Sequence, residues 1–325
     1  MFDALQYSYI QNALLAGSLV AIVAALIGYF LVLRGLTFAG HALSHIGFAG
    51  AAGALLLGVN PIFGLLIFTI GAGVGIGRLG NNVRQRDIII GIIMTLTLGL
   101  GSMFISLYHA YAEQAYSILI GQVLGISQTD VFVTVIFSVA VMSVTLMLFR
   151  PLLFCSIDPD VAQARGVPVE RLSMLFLVLV AITVSVSVQF VGILLIFTLL
   201  VGPAATAMHI FRRPLWVILC AMLLGLVSLW GSIILAANGN WPVSFYLTTI
   251  SFGIYLPVRM LSPLWIGKNA RPLPSSQQLA RYNQEEDRPL LPRSVDLPRK
   301  HPAGWANATS KIALFPDNHV GIEEG

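Results

Sequence analysis

From about residue 13 to residue 260 the chain alternates between apolar runs of about 17 to 24 residues and short polar breaks. A run of that length spans roughly 30 Å of bilayer hydrocarbon at about 1.5 Å per helical residue. The pattern predicts membrane-crossing helices at about 13–33, 39–58, 61–77, 88–108, 131–149, 172–189, 191–210, 215–236 and 243–260. Only Phe190 separates 172–189 from 191–210, so one of these two is read as a possible broken helix and the expected count is eight or nine crossings.

Composition agrees with this pattern. The 325 residues are 57% hydrophobic and 10% charged, with a mean hydropathy of +0.86; ordinary soluble domains are about 25% charged. An all-α, polytopic integral membrane protein is expected, and a large soluble core is excluded. Every lysine lies after residue 265, and the basic residues before that point are ten arginines, at 34, 78, 84, 86, 150, 165, 171, 212, 213 and 259. If the spans alternate in direction, these arginines share one side, while Asp3, Glu113 and Asp130 fall on the other. The positive-inside rule makes the arginine side cytoplasmic. The expected topology is a multi-pass protein of the inner or plasma membrane, with its N-terminus outside and its tail in the cytoplasm.

The N-terminal MFDALQYSYIQ has no positive region, so the first span is read as retained, not as a cleaved signal peptide. Cys155 and Cys220 lie at or within spans and are read as packing residues, not as a disulfide framework. Residues 1–262 are read as the transmembrane domain. Beyond them, 263–325 turn to prolines and mixed charges that cannot bury enough apolar surface to offset their ordering entropy, and a disordered cytoplasmic tail is expected. Asn307-Ala308-Thr309 fits a glycosylation sequon but would face the wrong compartment.

Gly75-Ile76-Gly77-Arg78-Leu79-Gly80 satisfies GxGxxG, which carries meaning only between a strand and a helix. Here it ends a span. With Gly71 and Gly73 it is better read as small-xxx-small pairs that let helix backbones approach in lipid. The loop SIDPDVAQARGVPVERL, residues 156–172, predicts a short, separately capped helix at about 158–166. Asp158 suits the N-cap, Pro159 the first helical position, Asp160 the positive dipole end, and Gly166 a left-handed C-terminus.

GHALSHIGFAG, residues 40–50, places His41 and His45 at i and i+4, on one helical face. Two imidazoles on one face make a competent half-site for zinc or another transition metal. Polar groups inside a membrane are costly and by default mark pathways or relays. Ala42 stands where a HExxH zincin carries its glutamate, so hydrolysis is not indicated. His109, beside Glu113 near the outer end of a span, is a weaker candidate entry ligand, and His209 is read as interfacial. The chain has no GxxxxGK[ST] loop and does not hydrolyse ATP alone.

In four ordered segments the chain resembles the permease subunits of the zinc, manganese and iron class of ATP-binding-cassette importers. The segments are FLVLRGLTFAGHALSHIGFAG, LIGQVLGISQTD, SIDPDVAQARGVPVERL and VGILLIFTLLVGPAATA, within about residues 13–262. The resemblance implies an all-helical permease working as a homodimer by alternating access, on two cytoplasmic ATPase subunits, with an extracytoplasmic metal-binding protein delivering the ion. It implies that the short helix, with Asp158, Pro159, Asp160, Ala162, Arg165 and Gly166, couples to the ATPase. It also implies that the acidic and histidine positions of the family's GDxxxH segment, here His41 and His45, contact the metal. His41 departs from that pattern, replacing a hard oxygen donor with nitrogen. Two such pairs in a dimer would offer four nitrogens, which suit zinc better than manganese. No permanently bound cofactor and no nucleic-acid partner are expected.

Two other classes compete. An ion-gradient-driven carrier could use the histidines as a proton relay, but the spans lack the carboxylates such coupling uses; Asp87 and Asp130 lie at span ends. A haem protein is disfavoured because histidines at i and i+4 point the same way and cannot take opposite axial positions.

Overall fold

The computed structural model describes residues 8–79, 83–107, 121, 127–239 and 241–269. Among them there are eleven α-helices and no strand. In chain order they are α1 (Ser8–Leu33), α2 (Thr37–Leu56), α3 (Pro61–Leu79), α4 (Val83–Leu107), α5 (Gln128–Met147), α6 (Phe149–Ile157), α7 (Pro159–Ala164), α8 (Val169–Val191), α9 (Ile193–Ile210), α10 (Pro214–Asn238) and α11 (Val243–Asn269). The protein is a polytopic membrane protein of the all-α class. The nine apolar segments coincide, to within several residues, with α1–α5 and α8–α11. Among the described residues six stretches, in α1, α3, α4, α5, α8 and α10, are long and apolar enough to cross a bilayer. Residues 270–325, which hold most of the expected tail, lie outside the described residues.

Helices that are apolar all round belong in the interior, and α1 and α8 are mostly buried whereas α4 and α5 are mostly exposed. Phe30 of α1 meets Phe149 of α6 and Phe176 of α8 edge to face, with centroids 5.5 and 6.2 Å away. α9 packs against α1, α2, α10 and α11, and α2 packs against α3, α4, α8 and α9. The helix carrying the histidines is therefore walled on several sides by other helices.

Without water in the hydrocarbon region, polar groups must find partners inside the protein. The buried hydroxyls largely do so by bonding back to the carbonyl four residues earlier, as Ser44 does to Gly40, Thr183 to Leu179 and Ser185 to Ala181. Thr69 and Ser185 also hydrogen-bond to each other at 2.7 Å, joining α3 to α8. Among the described residues, two buried side-chain nitrogens stand outside this accounting: Nδ1 of His41 and Nη2 of Arg34.

The break between α8 and α9 falls at Gly192, two residues beyond the position read from the sequence. Its φ of 82° and ψ of 162° lie in a region essentially reserved for glycine. Of the small-residue pairs in α3, only one is used in close packing. Gly73 and Gly77 face Leu177 and Met174 of α8, while Gly71 and Gly75 face open space. The two stripes point to different sides of one helix, so a single neighbour covers one of them.

Candidate functional site

α1 ends in a turn at Arg34 and Gly35, and α2 starts at Thr37. His41 and His45 thus stand about 6 and 12 Å along α2, at about 1.5 Å per residue. Their rings meet edge to face, with centroids 4.7 Å apart and planes at 78°. Glycines around them admit the neighbouring helices: Gly40 faces Leu31 and Leu200, and Gly47 faces Leu65 and Thr69. Ser44, fully buried, is satisfied by its own helix and is not directed at the histidines' shared face.

α9 supplies a wall that the spacing of residues in the sequence did not indicate. The His41 ring packs edge to face on Phe197 at 5.1 Å, five residues after the Gly192 break. Both histidines are half-buried, and the Nδ1 of His41 is a buried lone pair or N–H that no group among the described residues satisfies. A tetrahedral ion about 2.0–2.1 Å from a nitrogen on each ring fits two imidazoles this close. No group of three or more His, Cys, Asp or Glu that could hold a metal exists among the described residues, so one chain contributes a half-site there. His109 and Glu113 lie outside the described residues. His209, in the last turn of α9, is half-buried with its ring 6.2 Å from Tyr255.

The second assembly of motif residues is α7. Asp158 Oδ1 accepts the Val161 N–H at 3.0 Å, and Pro159 occupies the first turn. At the other end Gly166 has a φ of 81°. There the Gly166 N–H donates to Gln163 and the Val167 N–H to Ala162, the paired bonds of a Schellman motif. Ala162 alone is buried; Asp160, Gln163, Ala164 and Arg165 are exposed. The result is an independently capped knob whose one buried side chain, Ala162, belongs to the core. Cys155 and Cys220 are free thiols, as read.

A model of the ABC 3 transport family matches residues 6–262. The manganese transport system membrane protein MntC of Halalkalibacterium halodurans is 33% identical over 280 residues, covering 83% of this chain and 96% of that protein. The high-affinity zinc uptake system membrane protein ZnuB of Haemophilus influenzae is 30% identical over 226 residues, covering 69% of this chain and 87% of that one. The solved structure of PsaBC from Streptococcus pneumoniae in complex with Fab aligns with a TM-score of 0.74 at 28% identity, covering 83% of this chain and 98% of that chain.

Proposed function

The chain belongs to the ABC 3 transport family, and from that membership we propose that it is the permease subunit of an ATP-driven importer of divalent transition-metal ions, with zinc as its cargo. Relatives named for manganese and for zinc transport support the class of cargo. The observation that carries the site is the His41–His45 pair, ring centroids 4.7 Å apart on α2, with a buried Nδ1 that no group among the described residues satisfies. Buried polar atoms left unpaired in a native fold ask for a physical reason, and transient metal ligation supplies one.

The permease works as a homodimer in the bacterial plasma membrane. A second copy brings its own pair, so that four imidazole nitrogens surround the ion. Nitrogen donors favour zinc, whereas manganese prefers carboxylate and carbonyl oxygen. The N-terminus is extracytoplasmic, and α7 docks into a cytoplasmic ATPase that supplies the energy. A metal-binding protein delivers ions from the other side, where His109 and Glu113 serve as weaker entry ligands.

A second reading, manganese import, is favoured by the 33% identity to MntC. Radiolabelled zinc and manganese uptake into vesicles containing the permease with its ATPase decides between the two. Zinc uptake that requires ATP and disappears in the His41→Ala, His45→Ala double variant is the expected result. Normal uptake by that variant, with the complex intact, would defeat the assignment of the site. Uptake driven by an ion gradient without ATP would defeat the importer reading.

A further inference from the structure

Arg34, holder of the other unpartnered nitrogen, sits in the turn between α1 and α2. Its Nε donates to Ser156 Oγ at 2.9 Å, and its guanidinium carbon lies 5.1 Å from the centre of the Phe176 ring. These two contacts fix the plane of the fork and leave Nη2 without a partner. Arg34 also borders a cleft of about 610 Å³ that is lined by Arg78, Arg86 and Arg171 together with Asp160 and Glu170.

The arginines converge from separate elements: the α1–α2 turn, the end of α3, the first turn of α4 and the start of α8. Four cations against two carboxylates leave a formal charge of +2 on the cleft wall. Although carboxylates line the same space, none pairs with Arg34, Arg78 or Arg171 among the described residues. Burial lowers the Arg34 pKa most; Cys155 opposes this, and the Arg86 charge adds to the lowering. The cleft is therefore a region of incompletely neutralised positive potential with one pre-oriented guanidinium.

We propose that this cleft binds a phosphate-bearing anion. A planar guanidinium fork matches phosphate oxygens in geometry and charge. The position is that of a lipid headgroup, because the arginines lie where the apolar stretches of α1 and α3 end and those of α4 and α8 begin. Basic pockets between transmembrane helices at the cytoplasmic surface are suited to anionic headgroups. A cleft of this size accommodates a glycerophosphate group. None of this depends on which metal the histidines carry.

The test is native mass spectrometry of the full chain in detergent, titrated separately with dioctanoyl phosphatidylglycerol, dioctanoyl phosphatidylcholine and inorganic phosphate. The expected result is binding of the anionic lipid about tenfold tighter than the zwitterionic one, weakened about tenfold by Arg34→Gln or Arg171→Gln. Arg171 is exposed, so its variant keeps the test informative if Arg34→Gln fails to fold. Displacement of the glycerol lipid by millimolar inorganic phosphate would assign the site to a soluble phosphate; failure to displace it would assign the site to lipid. Equal binding of both lipids, unchanged in both variants and without phosphate binding, would overturn the proposal. So would arginine variants that bind every probe normally and lose only the ATPase subunit, since the cleft would then serve an acidic protein surface.

Discussion

Gly50 of α2 and Gly64 of α3 touch backbone to backbone: a Cβ built on either would sit inside van der Waals contact of the other's carbonyl oxygen. The obstacle on each side is main chain, which cannot swing aside as a side chain does. Gly50→Ala should therefore push α2 away from α3 and cost roughly 1–3 kcal/mol through overpacking. Gly71→Ala on α3, where a Cβ meets nothing within 4 Å, should leave stability unchanged or slightly raised. Thermal unfolding in detergent compares the two directly, and equal midpoints would show that the close approach contributes nothing.

The identity of residue 41 should set the metal preference. His41→Asp restores an oxygen donor at the first position of the pair while leaving His45 in place. Oxygen ligands suit manganese and nitrogen ligands suit zinc. The ratio of zinc to manganese uptake should then fall by about tenfold, corresponding to about 1.4 kcal/mol of differential binding. Competition uptake with both isotopes in one vesicle preparation measures that ratio, and an unchanged ratio would remove His41 from the selectivity argument.

Gly192→Ala tests whether the α8–α9 break positions the wall behind the histidines. A side chain at φ 82° and ψ 162° costs of the order of 1–3 kcal/mol. The Leu195 and Ile196 amides both bond back to the Gly192 carbonyl, so their hydrogen exchange should accelerate as the first turn of α9 loosens. Phe197 follows immediately, and metal uptake should fall with it. Gly253→Ala on α11, which faces open space, is the matched control; if the two variants behave alike, the break has no special role.

These contacts mark the limit of what the chain alone displays. Apolar run length located the helices because the bilayer imposes one thickness on every crossing. The i, i+4 spacing placed His41 and His45 together because both lie on one helix. The caps of α7 were likewise local, with Asp158 and Gly166 acting within a few residues. Phe197 against His41, Gly50 against Gly64, and Arg34 bonded to Ser156, 122 residues later, all join elements far apart in the chain or on different helices. Side-chain spacing on one helix states which face is small or polar, not which neighbour will meet it. The same reason explains why both glycine pairs of α3 read as packing stripes while only Gly73 and Gly77 carry the contact.

Asp158 offers a test of α7 that separates the local fold from its use. Its carboxylate accepts the Val161 amide at 3.0 Å, and removing an N-cap of this kind costs typically about 1 kcal/mol. A helix of six residues has little else to hold its first turn, because isolated helices this short do not sustain themselves in water. Asp158→Ala should speed exchange at Val161 severalfold while leaving the unfolding midpoint of the bundle where it was. Asp158→Asn, which preserves an accepting oxygen, should restore most of the protection. If α7 is the element that enters the ATPase, affinity for that subunit should follow the same order, with wild type above Asn and Asn above Ala. An affinity that drops equally for Asn and Ala, while exchange at Val161 differs between them, would mean the carboxylate's charge contacts the partner directly and the cap is incidental to docking.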